Sequence, residues 1–327
     1  MNDTRRRRAW LALRLVVSLL LLAAVLAYAD VGTMAEAIRD ASWGWFAAAL
    51  ALMALNSVVG AVRWRVLLRH AHVEVTELRA VRAFAGALFL NNVLPTAVGG
   101  DAVRAWLVGR EGGLVRATTA TLVDKVTALA CLFVIAWLAL IVDGEEVPGS
   151  IVTVLAWVTA GLLAAFALAG LVAAGARPLV RRLPERVANM IREAWWALRR
   201  WGASARLMGL VLGLGLVYGV FGLLVFVLVA KAVGVELSFA LAAATTPVVL
   251  VAMLIPISIG GLGVREGGFV LLLGEAGVSA ADATLLALLS TAAILVATAA
   301  VVAVTAGLES LRTRAGPARP LPRRPSG

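Results

Sequence analysis

The sequence predicts an all-α polytopic membrane protein, with six full transmembrane helices plus two re-entrant broken helical hairpins in an inverted-topology repeat. Three observations predict it. The chain is 62% hydrophobic and only 15% charged, with a mean hydropathy of +0.95, whereas soluble domains keep about a quarter of their residues charged. The basic residues gather in a few segments between long apolar runs. One motif, P-x3-G-G-x3-R, occurs twice, 161 residues apart, each time in an apolar stretch broken by Pro and Gly-Gly. The same composition excludes a disordered chain, because nothing this apolar stays solvated as a coil. The lone cysteine, Cys131, excludes a disulfide framework and a cysteine-built metal site.

A hydrocarbon core of about 30 Å needs about 20 apolar helical residues. Six runs meet that length: 10–29, 43–62, 118–142, 151–174, 208–230 and 285–308. The first follows Arg5, Arg6, Arg7 and Arg8 and ends at Ala27-Tyr28-Ala29, which also resembles a secretory leader with its cleavage site. A retained first span is expected, since the repeat needs that run as a partner. The stretches 83–98 and 239–274 are the two broken hairpins. The whole chain, 1–327, is read as a single integral membrane domain. Its first inverted half covers about 9–142 and its second about 151–308, with a cytoplasmic basic segment at 175–207 and a basic disordered tail over 309–327.

Charge placement sets the orientation. Of the 30 Lys+Arg, 26 fall in five segments: the N-terminus through Arg14, 63–82, 104–116, 175–207 and the tail. The four that stand apart are Arg39, Lys125, Lys231 and Arg265. Acidic residues instead follow the first run (Asp30, Glu36, Asp40) and the third (Asp143, Glu145, Glu146). The positive-inside rule then places both termini and 175–207 in the cytoplasm of a cell-membrane protein. The 83–98 hairpin enters from the cytoplasm and 239–274 from outside. Orientation thus explains most of the net charge of +11 without nucleic acid. In 175–207, eight arginines interleave with Trp195, Trp196 and Trp201, the pattern of a surface helix against anionic inner-leaflet lipids. His70 and His72 belong to a cytoplasmic loop, and His70 with Glu74 supplies too few ligands for a metal.

The breaks carry the candidate site. Pro95 and Pro256 remove a backbone donor and push Leu94 and Ile255 out of the helical region. Gly99-Gly100 and Gly260-Gly261 allow a tight reversal and free backbone N–H groups beside Arg104 and Arg265. Freed N–H groups next to an arginine suit an anion, above all a phosphate. Arms of about 12–16 residues rise about 18–24 Å, which carries each tip to mid-membrane or past it. The competing account is a purely structural hairpin with a snorkelling arginine.

Other polar residues join these. Asp101 and Arg104, three apart, share a helix face and can pair. Asp124 and Lys125 lie just inside the third run, where a bland alternative has the lysine snorkelling and the aspartate near a helix N-terminus. Arg265 and Glu266 are adjacent and point apart, so each needs another partner. Glu266 is therefore the candidate coupling group, because an unpaired carboxylate in low dielectric favours its neutral form. Asn91 and Asn92 would be costly against lipid and are expected to line the cavity or bond across helices.

These residues resemble the flippase-like membrane family that includes the transmembrane region of lysylphosphatidylglycerol synthases. The resemblance covers roughly 10–308 and rests on Arg63-Trp64-Arg65, on Pro95 through Gly99-Gly100-Asp101 to Arg104, on Asp124-Lys125, and on Gly260-Gly261-Leu262-Gly263-Val264-Arg265-Glu266. Lys125 stands where the family usually has arginine, which keeps the charge but not the bidentate fork. Members with synthase activity resemble a flippase fused to a soluble aminoacyl-transfer domain. No such domain is read in these 327 residues, so the resemblance implies lipid translocation and not synthesis.

The expectation is a lipid flippase that moves an anionic, phosphate-headgroup lipid by alternating access, with no enzymatic activity and no cofactor. No G-x-x-x-x-G-K-[ST] loop occurs, so transport is expected to be passive or coupled to protons or potential. Two other classes stay open: a polyprenyl-phosphate-dependent glycosyltransferase, whose only acidic cluster would be Asp143-Gly144-Glu145-Glu146, and a non-transporting subunit of an envelope-lipid or polysaccharide machine.

Overall fold

A backbone in hydrocarbon must satisfy its own polar groups, and a chain this apolar does so with helices. A computed structural model describes residues 18–27, 31–94, 99–110, 113–174, 204–255 and 258–314, with Val16, Glu185 and Trp195. Every regular element among them is helical. In chain order these are α1 (Ser18–Ala27), α2 (Val31–Arg39), α3 (Trp43–His70), α4 (Glu77–Val93), α5 (Gly99–Gly109), α6 (Leu114–Asp143), α7 (Gly149–Ala173), α8 (Ala205–Ala232), α9 (Phe239–Met253), α10 (Val264–Gly274) and α11 (Ala280–Arg314). The protein is a polytopic all-α membrane protein. Helices α3, α6, α7, α8 and α11 are long and apolar enough to cross a bilayer. They match five of the six predicted runs; the sixth run is described only over α1.

Three placements correct the sequence reading: Arg63 and Arg104 are buried, and α11 runs to Arg314, so residues 309–314 of the segment expected as a disordered tail are helical. Arg63 was expected to flank the second span, yet α3 continues to His70 and buries Arg63 inside the bundle. Arg104, counted with the same cytoplasmic charges, is also buried. The breaks fall where expected. Helix α4 stops at Leu94, whose φ −77° and ψ 153° are extended, as a residue before proline requires. Pro95 and Pro256 themselves, Tyr28 with its neighbouring Ala29, most of 175–207 and the tail beyond Arg314 lie outside the described residues. Serine and threonine side chains cap the shorter arms and their neighbours: Thr76 accepts the Arg79 N–H, Ser238 that of Leu241 and Ser204 that of Leu207.

The helices α3–α6 and α8–α11 repeat one order, a long helix, two short arms and a long helix. In each set the two arms pack on each other. Helix α3 packs on α8, α4 on α11, and α9 on α6; α3 also meets α11, and α8 meets α6. Exchanging one set for the other returns the same packed pairs. Helix α7 packs on α9 at the periphery and shows Trp157 and Leu163 to the outside.

One end of this bundle is basic. There Arg65 pairs with Glu77 at 2.6 Å and Arg82 with Glu309. At the other end Ser42 donates its N–H to the Ala232 carbonyl, and Ser150 bonds to Glu275. A large apolar core fills the second end, with Phe226 stacked on Phe269 at 4.6 Å. A smaller core around Trp64, Phe84 and Val211 fills the basic end.

Candidate functional site

Within the basic half, three helices bring five charges together. Asp124, ten residues into α6 and so about 15 Å along its axis, lies between two arginines. Arg63 Nε donates to its Oδ1 at 2.8 Å and Nη2 approaches the same oxygen at 2.7 Å. Arg104 Nη2 donates to Oδ2 at 2.9 Å. The same Nη2 lies 3.0 Å from Asp101 Oδ1, and Lys125 Nζ is 2.7 Å from Asp101 Oδ2. Arg63, Arg104 and Asp124 are 1–3% exposed, Asp101 is 13% and Lys125 is 40%, so the cluster reaches the outside along its lysine edge.

Aromatic faces complete the seat. The Arg104 guanidinium lies over the rings of Trp64 (4.9 Å) and Phe84 (4.7 Å), and that of Arg63 over Tyr218 (5.0 Å). The Trp64 indole donates to Thr121 Oγ1 at 3.0 Å. Ring faces do not satisfy in-plane N–H groups: Arg63 Nη1 and Arg104 Nε and Nη1 are buried with no hydrogen-bond acceptor among the described residues. Asp124 is thus the bridge of a buried ionic triad, not a residue near a helix N-terminus. Lys125 is tied to Asp101 instead of snorkelling freely.

The two asparagines divide their work. Asn91 Oδ1 accepts the Gly100 N–H at 2.9 Å, and Asn91 Nδ2 is 3.4 Å from Asp101 Oδ2. Asn92 Oδ1 instead accepts from Arg265 Nη1 at 2.9 Å, across to the second break. A Cβ built on Gly260 would stand 2.5 Å from the Asn92 carbonyl oxygen, so the second break presses directly on the end of the first. Asn92 lies 15 residues along α4, about 23 Å from its basic-end start, which puts this contact near mid-height of the bundle.

At the second break, Gly260, Gly261 and Gly263 adopt φ of 58°, 78° and 80°, the left-handed region that glycine alone enters freely. Arg265 and Glu266 do find further partners, Asn92 and the Gly263 N–H, but against expectation they do not point apart and also pair with each other. Arg265 Nε and Nη2 both lie 3.2 Å from Glu266 Oε1, and Glu266 Oε2 accepts the Gly263 N–H at 2.6 Å. Glu266 is fully buried and caps α10. Some of the freed backbone donors are likewise already used: Gly100 by Asn91, Gly263 by Glu266, and Ile259 by Ser18 Oγ of α1 at 2.7 Å.

The structure brings Asn91, Gly100, Asp101, Arg104, Asp124 and Lys125 into one network, and Asn92, Gly260, Arg265 and Glu266 into a second that touches its end. Gly99 opens α5, and Gly261 packs under Met253. Sequence reasoning missed Arg63, Trp64, Thr121 and Tyr218 as site residues. A signal was present, since Asn56, Gly60 and Arg63 fall on one stripe of α3. Cavities lined by Lys231, Glu146 and Glu236 at one end, and by Trp106, Arg110 and Arg116 at the other, do not overlap the cluster. No group of three or more His, Cys, Asp or Glu suited to a metal occurs among the described residues.

Residues 11–301 match the family described as the lysylphosphatidylglycerol synthase TM region. No curated protein and no solved structure matches the chain. The chain belongs to that family, and it is a multi-pass membrane protein of a lipid-handling family.

Proposed function

We propose that this member of the lysylphosphatidylglycerol synthase TM-region family is a lipid flippase, a transporter and not an enzyme, that carries an anionic phosphate-bearing lipid between leaflets. One observation carries the reading. Among the described residues, Arg63, Arg104 and Lys125 face only the carboxylates of Asp101 and Asp124, which leaves one formal positive charge in excess in a mostly buried cluster. An uncompensated buried charge is expensive, by several kcal/mol in real proteins, and calls for a counter-ion. A phosphodiester headgroup supplies one negative charge and acceptors for the unpartnered N–H groups of Arg63 and Arg104.

The second network is neutral, since Arg265 is matched by Glu266. It supports the movement. The exchangeable packing of α3–α6 and α8–α11 fits an inverted repeat with both breaks re-entrant, each half able to take the other's position. Asn92–Arg265 joins the halves where the breaks meet. Coupling to protons or potential is assigned to Glu266, because its one carboxylate holds Arg265 and the Gly263 N–H together and not because it is unpaired. The basic end faces the cytoplasm in this reading, with 175–207 against anionic inner-leaflet lipid.

Proteoliposomes doped with a headgroup-labelled anionic phospholipid test it. Leaflet exchange above protein-free vesicles, faster for anionic than for zwitterionic lipid, is expected. Exchange equal to protein-free vesicles for every anionic lipid would overturn it.

A further inference from the structure

We infer that Asp101 is an internal stand-in for the substrate phosphate, a carboxylate that occupies the anion seat and is displaced when a headgroup enters. The inference rests on the flippase reading and assigns one residue of that site a role opposite to direct binding.

The two carboxylates of the cluster are held differently. Asp124 is 2% exposed and gripped on both oxygens by guanidinium groups, Arg63 on Oδ1 and Arg104 on Oδ2. It is a fixed floor. Asp101 is the more exposed carboxylate, held by one nitrogen of Arg104 and by the ammonium of Lys125, a flexible point charge that is 40% exposed. Its two oxygens bridge Arg104 at 3.0 Å and Lys125 at 2.7 Å, with Asn91 Nδ2 at 3.4 Å as a third donor. Two acceptor oxygens on one atom, spread between an arginine and a lysine, are also what a phosphate presents.

A carboxylate cannot attract an anion, so its presence among the donors needs a different account. Asp101 compensates Arg104 and Lys125 while the seat holds no headgroup, and it competes with one that arrives. Affinity is lowered, and release is eased on the far side. The covalent route makes this local: Asp101 is the third residue of α5, the arm that packs on α4.

The measurement is binding of dihexanoyl phosphatidylglycerol and, separately, of inorganic phosphate to the purified full-length protein. Asp101→Asn keeps the shape and removes the charge. It should tighten the short-chain lipid about tenfold, the effect of roughly one competing charge, while slowing its turnover in proteoliposomes. Asn91→Asp keeps the acceptor for Gly100 and adds a second competitor, and it should weaken binding by a similar factor. This arm serves if Asp101→Asn does not fold, with Asn91→Asp first shown to be folded by size exclusion so that its weaker binding is not loss of structure. Unchanged or weaker lipid binding by folded Asp101→Asn overturns the stand-in, as does unchanged binding by Asn91→Asp. Tightening for inorganic phosphate alone would keep the stand-in and overturn the headgroup reading beneath it. No binding of either probe by wild type and variants would overturn both.

Discussion

Arg63 and Asp124, 61 residues apart in sequence, make a hydrogen bond of 2.8 Å and an ion-pair contact of 2.7 Å between side chains that are 1% and 2% exposed. This contact locks α3 to α6 and sets the position of everything the second carboxylate oxygen then holds. Breaking a buried pair by removing one partner leaves a stranded charge and costs about 3–5 kcal/mol. Asp124→Asn and Arg63→Ala should therefore lower the thermal unfolding midpoint in detergent sharply. Arg63→Lys should recover little, because an ammonium cannot reproduce the fork on Asp124. A wild-type midpoint for Asp124→Asn would contradict the assignment.

Gly100 is the tightest point of the first hairpin. A Cβ there would stand 2.1 Å from the Ala87 carbonyl oxygen and 2.8 Å from Asn91 Oδ1, so α5 could not stay against α4. Gly100→Ala should abolish folded yield or lower stability by more than about 2 kcal/mol. Gly161→Ala in α7 meets nothing within 4 Å and should be neutral or stabilising by up to about 1 kcal/mol. Equal yields and midpoints by size exclusion and thermal shift would refute the contrast.

The division between Asn91 and Asn92 can be read by double-mutant cycles. Asn92→Ala and Arg265→Met share one interaction, so their effects on stability should be coupled by about 0.5–3 kcal/mol. Asn91→Ala and Arg265→Met share none in the structure and should add. Coupling in the second cycle and none in the first would reverse the assignment.

Orientation is open to impermeant thiol labelling, since the native Cys131 is buried. Glu145→Cys, exposed at the α6–α7 turn, should react in intact cells, and Glu74→Cys, exposed at the basic end, only after permeabilisation. The opposite pattern would invert the proposed topology.

Most of the architecture was legible because apolar length dictates a membrane helix and Pro95 marks where α4 ends, although Pro247 sits inside α9 without ending it. Leu94 left the helical region as its following proline required. The paired asparagines were legible from the cost of polar groups in lipid, and Asp101–Arg104 from their three-residue spacing on one helix face. Arg63 was not. An arginine at the edge of an apolar run reads as a flanking charge, and only the helix's continuation to His70 and a carboxylate from α6 make it interior. Glu266 was misread for a related reason. Adjacent helical residues point apart, but a long arginine side chain at the first turn folds back to its neighbour, while the second carboxylate oxygen caps the helix. Long-range partners decide such cases, and spacing does not reveal them.

The central claim is that the buried cationic cluster seats the headgroup of a transported lipid. Its most direct test is the exchange rate of labelled anionic phospholipid in proteoliposomes containing wild type, Arg104→Ala or Lys125→Ala, each confirmed as folded by size exclusion. Exchange is expected in wild type, with a loss of at least about tenfold in both variants. Wild-type exchange rates in both folded variants would contradict it.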